Sequence, residues 1–240
     1  MAYEYYKGSV FECAEKNSVD MIVNTVNCKG FMGAGIALEF KLRYPKMFIE
    51  YELKCENNQI QVGKLDSYYD SDIKILNFPT KNDWKQPSNI KWIIDGLVNF
   101  SQLYRDYGIK SIAFPKLGTS NGGLNWSDVK QVMEYYFEMI NDLKIYICLD
   151  EIPPEGIEGK MLEVLYSLKP SDFKNIGLRS AAIDNIEEAL PVKRFFLLTK
   201  IKGLGMQSYE KLHSYCYQKA ISKMANSIIK EENEQLNLFD

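Results

Sequence analysis

Along the first 149 positions the apolar residues switch repeatedly between two periods. Short, nearly continuous β-branched or apolar runs at 21–26, 73–78, 111–114 and 145–149 predict buried strands, and segments at 35–43, 47–55, 89–107 and 127–141 repeat their apolar residues at helical spacing. Strand and helix in alternation predict a three-layer α/β/α domain over 1–149 with a mixed, mostly parallel sheet. The sequence Asp150-Glu-Ile-Pro-Pro-Glu-Gly156 breaks the pattern and predicts a linker over 150–156. Beyond it, helical spacing at 157–168, 180–190 and 206–229 predicts a small helical domain over 157–230, and 231–240 follows as a tail.

Composition narrows this picture. With 46% hydrophobic and 25% charged residues among 240, the chain has the make-up of a folded soluble protein. No window approaches the roughly 18 consecutive apolar residues of a membrane span, and the opening residues lack a basic segment followed by an apolar one, so a cytoplasmic protein is expected. The 29 basic and 32 acidic side chains give a net charge of -3, which excludes a basic footprint over the whole protein. Locally, 160–230 carry 12 Lys or Arg against 6 Asp or Glu, whereas 231–240 carry 4 acids and no base. Five cysteines without a Cys-x-x-Cys pair argue against a disulfide framework or a zinc site, and the single histidine, His213, argues against His-based metal sites. His213 itself reads as an ordinary helix residue, and no metal or cofactor is expected.

Two glycine-rich loops carry the chemistry. In Asn24-Thr-Val-Asn27-Cys-Lys-Gly30-Phe-Met32-Gly33-Ala34-Gly35-Ile36 a buried strand gives way to a glycine-spaced turn that opens a helix. Such a turn suits a diphosphate, because backbone N–H groups at a helix N-terminus favour anions, and it equally suits a plain tight turn. The run Phe114-Pro-Lys-Leu-Gly118-Thr119-Ser120-Asn121-Gly122-Gly123 also passes from a strand to a helix. Two such loops at the carboxyl ends of strands in one sheet can clamp a diphosphate from both sides. Neither contains the phosphate loop of nucleoside triphosphatases or the dinucleotide fingerprint of dehydrogenases, so the expected ligand is a nucleoside diphosphate derivative bound without a metal.

The strand-end asparagines, the Met-Gly-Ala-Gly-Ile-Ala turn and the Asn-Gly-Gly-Leu-Asn-Trp loop, in this order, resemble the macrodomain family, the ADP-ribose-binding fold. Within it they are similar to the DarG-type glycohydrolases, which take ADP-ribose off DNA, and to the terminal ADP-ribose protein glycohydrolase. The resemblance implies a glycohydrolase acting on ADP-ribosylated DNA bases and serving as antitoxin to a DNA ADP-ribosyltransferase. The alternatives are a non-catalytic ADP-ribose-binding module and a hydrolase of ADP-ribose on protein glutamate. It places Asn27, Met32, Gly33, Ala34, Gly35 and Ile36 along the distal ribose and diphosphate, with Gly118, Thr119, Ser120, Asn121, Gly122 and Gly123 facing them. It adds Thr80 to the ADP-ribose-binding residues and makes Lys81, which follows it, the catalytic residue, either as a neutral amine attacking the ribose or as a charged group supporting the leaving base. Gly122 stands where the protein glycohydrolase has an aspartate, which favours DNA as substrate. An acid that holds adenine in the family is replaced by Ser9, next to Val10, and Asp20 is a candidate substitute.

In the basic helical region, Lys200-Ile-Lys202-Gly203-Leu-Gly205 joins two helical patterns and resembles a helix-hairpin-helix turn, which presents backbone N–H groups to a DNA phosphate, with Lys211 adding charge. A plain helical hairpin fits the same residues. In the tail, Gln235, Leu236, Leu238 and Phe239 have the spacing of the peptide by which bacterial proteins dock on the DNA sliding clamp, and the same apolar residues could pack on the protein's own helices.

Overall fold

The computed structural model describes residues 3–70 and 73–236, the side chains of 227–236 excepted. It divides the chain into two compact units, 1–152 and 153–240.

The first unit is built on six strands: β1 (Tyr3–Tyr6), β2 (Met21–Val26), β3 (Asp66–Tyr69), β4 (Lys74–Pro79), β5 (Ser111–Pro115) and β6 (Lys144–Cys148). They lie in the order β1-β6-β5-β2-β4-β3, parallel except for β3, which runs antiparallel to β4 along the edge. Among the described residues five α-helices cover them: α1 (Val10–Asn17), α2 (Gly35–Arg43), α3 (Pro45–Glu56), α4 (Ile90–Leu103) and α5 (Trp126–Glu138). Side chains alternate along each strand. Ile22, Val26, Ile75 and Ala113 face a core with Phe11, Phe40, Met47 and Tyr51 of α1, α2 and α3, while Met21, Val23, Leu76, Phe78 and Phe114 face Ile93, Leu97, Phe100, Met133 and Phe137 of α4 and α5. This is the mixed-sheet, three-layer architecture that the periodicity predicts. On the first face Asn24 and Asn77 interrupt the apolar sequence: they lie opposite each other in the β2–β4 register, and Asn24 Nδ2 donates to Asn77 Oδ1 at 3.1 Å.

The second unit is helical: α6 (Gly156–Ser167), α7 (Pro170–Ile176), α8 (Ser180–Ala189), a 3-10 turn at Phe195–Lys200 and α9 (Met206–Leu236). Met161, Leu165, Phe173, Ile186, Leu198, Tyr209, Leu212 and Cys216 are buried in it. Arg194 grips Glu158 with two nitrogens at 2.6 and 3.0 Å, and the same carboxylate accepts from Phe195 N at 2.9 Å, which fastens the 3-10 turn to α6. His213 is a residue of α9, as expected, and is fully buried among Phe195, Tyr209 and Tyr217. Among the described residues no helix is long and apolar enough to cross a membrane.

Candidate functional site

Strands β5, β2 and β4 are adjacent and parallel, so the loops that leave their carboxyl ends, at 116–125, 27–34 and 80–89, emerge side by side. The helices that follow two of them are capped by their own asparagines: Asn89 Oδ1 accepts from Lys91 N, and Asn125 Oδ1 from Ser127 N. Helix α2 differs. Its N-cap is Ala34, which offers no side-chain acceptor, and its first residue, Gly35, holds the left-handed conformation at φ +57°. With no acidic residue in its first turn either, α2 presents the positive end of its dipole to this side of the sheet.

The second glycine loop reaches back to that helix end. The Asn121 amide lies over Gly35, where an added Cβ would stand 2.6 Å from Asn121 Nδ2. The main-chain oxygen of the same Asn121 accepts from Lys81 Nζ at 2.6 Å, and Trp84 O lies 3.5 Å from that nitrogen. One residue therefore ties both glycine loops to the lysine. Lys81 is itself set by strand pairing, since Thr80 N donates to Val26 O at 2.9 Å and Lys81 N to the same oxygen at 3.4 Å. Partial burial lowers its amine below the ordinary lysine value. Cys28 lies alongside, its sulfur 3.5 Å from Lys81 O, but burial pushes that thiol up to about 11, so it is no rival nucleophile at neutral pH.

Several polar residues marked out by the sequence turn inward to the fold. Ser9 is the N-cap of α1: its Oγ accepts from Glu12 N at 3.2 Å, while Glu12 Oε2 accepts from Ser9 N at 3.1 Å, so its acceptor is used by the helix. Val10 and Met32 are core side chains, 1% and 2% exposed. Asp20 sits at the amino end of β2, a strand length from the loops, where its Oδ2 accepts from Lys110 N at 2.7 Å and Ser111 N at 3.1 Å. It pins β5 in place, at the end of the sheet opposite the three loops. Asn27 closes its own loop: Nδ2 donates to Phe31 O at 2.5 Å, and Oδ1 accepts from Lys29 N at 2.8 Å. Gly122 is buried, and a Cβ there would strike Gly118 O and Ser88 Oγ, so no side chain fits without moving the loop. Thr119 Oγ1 donates to Lys116 O at 3.1 Å, leaving Ser120, Asn121 and Gly123 as the exposed part of that loop.

Two exposed aromatic residues given no role in the sequence flank Lys81. The Phe31 ring packs on Gly33, and its centroid is 4.7 Å from that of Trp84. The signal available was a tryptophan three residues after a loop lysine.

In the helical unit the Gly203-Leu204-Gly205 turn leads into α9 from a 3-10 segment, not from an α-helix; Leu204 is buried, and Gly203 is left-handed at φ +82°. Lys200, Lys202 and Lys211 are exposed, and Lys211 Nζ lies over Gly177 at the end of α7. Backbone helix continues through Gln235 and Leu236, whereas Leu238 and Phe239 lie outside the described residues.

Residues 23–133 match the Macro domain family model, and a solved structure of the Mycobacterium tuberculosis DarG macrodomain aligns over 64% of this chain and 98% of its own, at 38% identity and a TM-score of 0.57. The chain belongs to the macrodomain family. A DNA ADP-ribosyl glycohydrolase of Mycobacterium tuberculosis is 41% identical over 151 residues, which span 58% of this chain and 42% of that protein. Thermosipho africanus DarTG in complex with ADP-ribose aligns over 64% of this chain and 43% of its own at 28% identity, with a TM-score of 0.57. The macrodomain thus accounts for the first unit, and the chain spans about two fifths of the length of the curated glycohydrolases it matches.

Proposed function

We propose that this chain is a glycohydrolase that removes ADP-ribose from modified DNA bases. The observation that carries the reading is the convergence at Lys81, whose Nζ meets Asn121 O at 2.6 Å while the Asn121 amide covers Gly35 at the uncapped end of α2. A diphosphate at that helix end and on the two glycine loops brings the distal ribose toward the lysine. Partial burial lowers the Lys81 pKa below the ordinary lysine value, so a larger fraction of its amine is neutral than in a free lysine. That amine attacks the anomeric carbon, forming a C–N bond as the glycosidic bond breaks. The electron pair leaves with the base, which takes up a proton, and water then releases ADP-ribose and frees the amine. Relatives named DNA ADP-ribosyl glycohydrolase support the choice of DNA, as does Gly122, where no carboxylate fits. Release of free ADP-ribose from an ADP-ribosylated oligonucleotide, and its loss in Lys81→Ala, is the test.

The partners follow from this reading. A relative from Thermosipho africanus is named a DNA ADP-ribosyl transferase-DNA ADP-ribosyl glycohydrolase fusion protein, which supports an antitoxin role beside a cognate transferase. The exposed Lys200, Lys202 and Lys211 around the Gly203–Gly205 turn serve as DNA phosphate contacts. The spacing of Gln235, Leu236, Leu238 and Phe239 serves docking on the sliding clamp, which binding of a peptide of residues 230–240 to purified clamp would test. Five free, buried cysteines fit a cytoplasmic setting.

A further inference from the structure

Phe31 and Trp84 are 47% and 45% exposed, yet their rings lie against each other at 4.7 Å with 35° between their planes. At that separation the two rings cover one face of each other and leave their outer faces and edges open to solvent, a small π-rich patch on a polar loop surface. Its surroundings say which kind of ligand it suits. Lys85 Nζ stands 5.2 Å from the Trp84 ring centroid, and Lys29 is exposed two residues before Phe31. Lys81 lies on the same loop as Trp84, and the acid of that loop, Asp83, is turned to its own turn, accepting from Lys85 N at 2.9 Å. Flat aromatic faces edged by cations fit a ligand with planar bases and a phosphate backbone.

The patch is held in place. Asn27 fixes the Phe31 main chain through Nδ2 to Phe31 O at 2.5 Å, and Cys28 N donates to Asn82 O at 3.2 Å, tying the two loops together. Its location is equally specific. The Phe31 ring rests on Gly33, at the rim of the cradle before α2, and Trp84 sends its carbonyl to within 3.5 Å of Lys81 Nζ. The ring pair therefore borders the exit from the lysine, where the base released from ADP-ribose and the strand attached to it must lie.

We infer that Phe31 and Trp84 form a stacking platform for a nucleobase of single-stranded DNA next to the modified one. The inference rests on the glycohydrolase reading for the position of the strand. A base can lie on the platform only when unstacked from its neighbours, so single strands are selected over duplex.

The test uses the full chain and three substrates carrying the same ADP-ribosylated base: a nucleoside, an oligonucleotide, and an oligonucleotide with abasic sugars on both sides. The wild type is expected to show kcat/KM about tenfold higher on the oligonucleotide than on the abasic-flanked strand, a difference of the size of one stacked base. Phe31→Ala and Trp84→Ala level that ratio, and Trp84→Phe retains most of it. Equal losses on all three substrates, or an unchanged ratio, overturn the platform. Anisotropy of an unmodified labelled oligonucleotide separates the platform from the catalytic reading. If the wild type hydrolyses nothing but Trp84→Ala still raises Kd about tenfold for the normal strand and not for the abasic one, the glycohydrolase reading fails and the platform stands. If the variant binds both strands as the wild type does, the platform is wrong.

Discussion

Replacing Gly35 by glutamate should abolish ADP-ribose binding while the protein stays folded. Gly35 holds φ +57°, and the obstacle to a Cβ there is Asn121 Nδ2 at 2.6 Å, the far end of a side chain that can swing away. The cost to the fold is then mainly the left-handed backbone, about 1–2 kcal/mol, small beside the roughly 5–15 kcal/mol of a typical domain. For a unit of this size it corresponds to a fall in Tm of about 2–8 °C. The cost to binding is larger. A carboxylate about 4 Å from a phosphate charge at an effective dielectric near 20 meets about 4 kcal/mol of repulsion, on the order of a thousandfold in Kd. It also sits at the helix end where the anion would gain from the dipole. Calorimetry with ADP-ribose and a melting curve on the same sample measure both quantities. A folded Gly35→Glu protein that binds ADP-ribose within tenfold of the wild type would refute the cradle. Gly122 is a poorer probe, because the obstacle to a side chain there is the Gly118 backbone, so even alanine disturbs the loop.

Two further outcomes are expected. Because burial lowers the Lys81 pKa, its neutral fraction at a given pH exceeds that of an ordinary lysine and grows with pH. Hydrolysis should therefore rise with pH along a limb centred below the ordinary value of about 10.4, and a kcat/KM profile that falls over the same range would count against a neutral amine. Ser9→Ala removes the α1 cap and should destabilise the protein by about 1 kcal/mol in a denaturant titration. ADP-ribose affinity should change less than about threefold, since the Ser9 acceptor is held by Glu12 N, and a large selective loss of affinity would restore an adenine-binding role.

The central strands were legible because β2, β4, β5 and β6 are buried on both faces and read as apolar runs. Strands β1 and β3 were not: Tyr-Glu-Tyr-Tyr and Asp-Ser-Tyr-Tyr are four-residue edge strands whose burial comes from tertiary packing, not from any run of their own. Helices α1 and α7, of eight and seven residues, were missed for a related reason, being too short to display a period. At the site, the glycine loops and Lys81 could be located, whereas the direction of the short polar side chains could not. Ser9, Asp20 and Asn27 each find a partner in a cap, a neighbouring strand or their own turn, and those geometries depend on backbone that no local motif specifies. Phe31 and Trp84 escaped notice because an aromatic residue in a sequence reads as core until its exposure is seen.

The most direct measurement is single-turnover release of ADP-ribose from a single-stranded oligonucleotide carrying the modification on thymidine or guanosine, run beside calorimetry of Lys81→Ala with free ADP-ribose. The wild type should liberate ADP-ribose, and Lys81→Ala should release none while binding it within about fivefold of the wild type, since the proposed mechanism puts Lys81 at the glycosidic end and not in the diphosphate cradle. Undiminished release by Lys81→Ala, or a wild type that binds ADP-ribose yet leaves both modified strands intact, would contradict it.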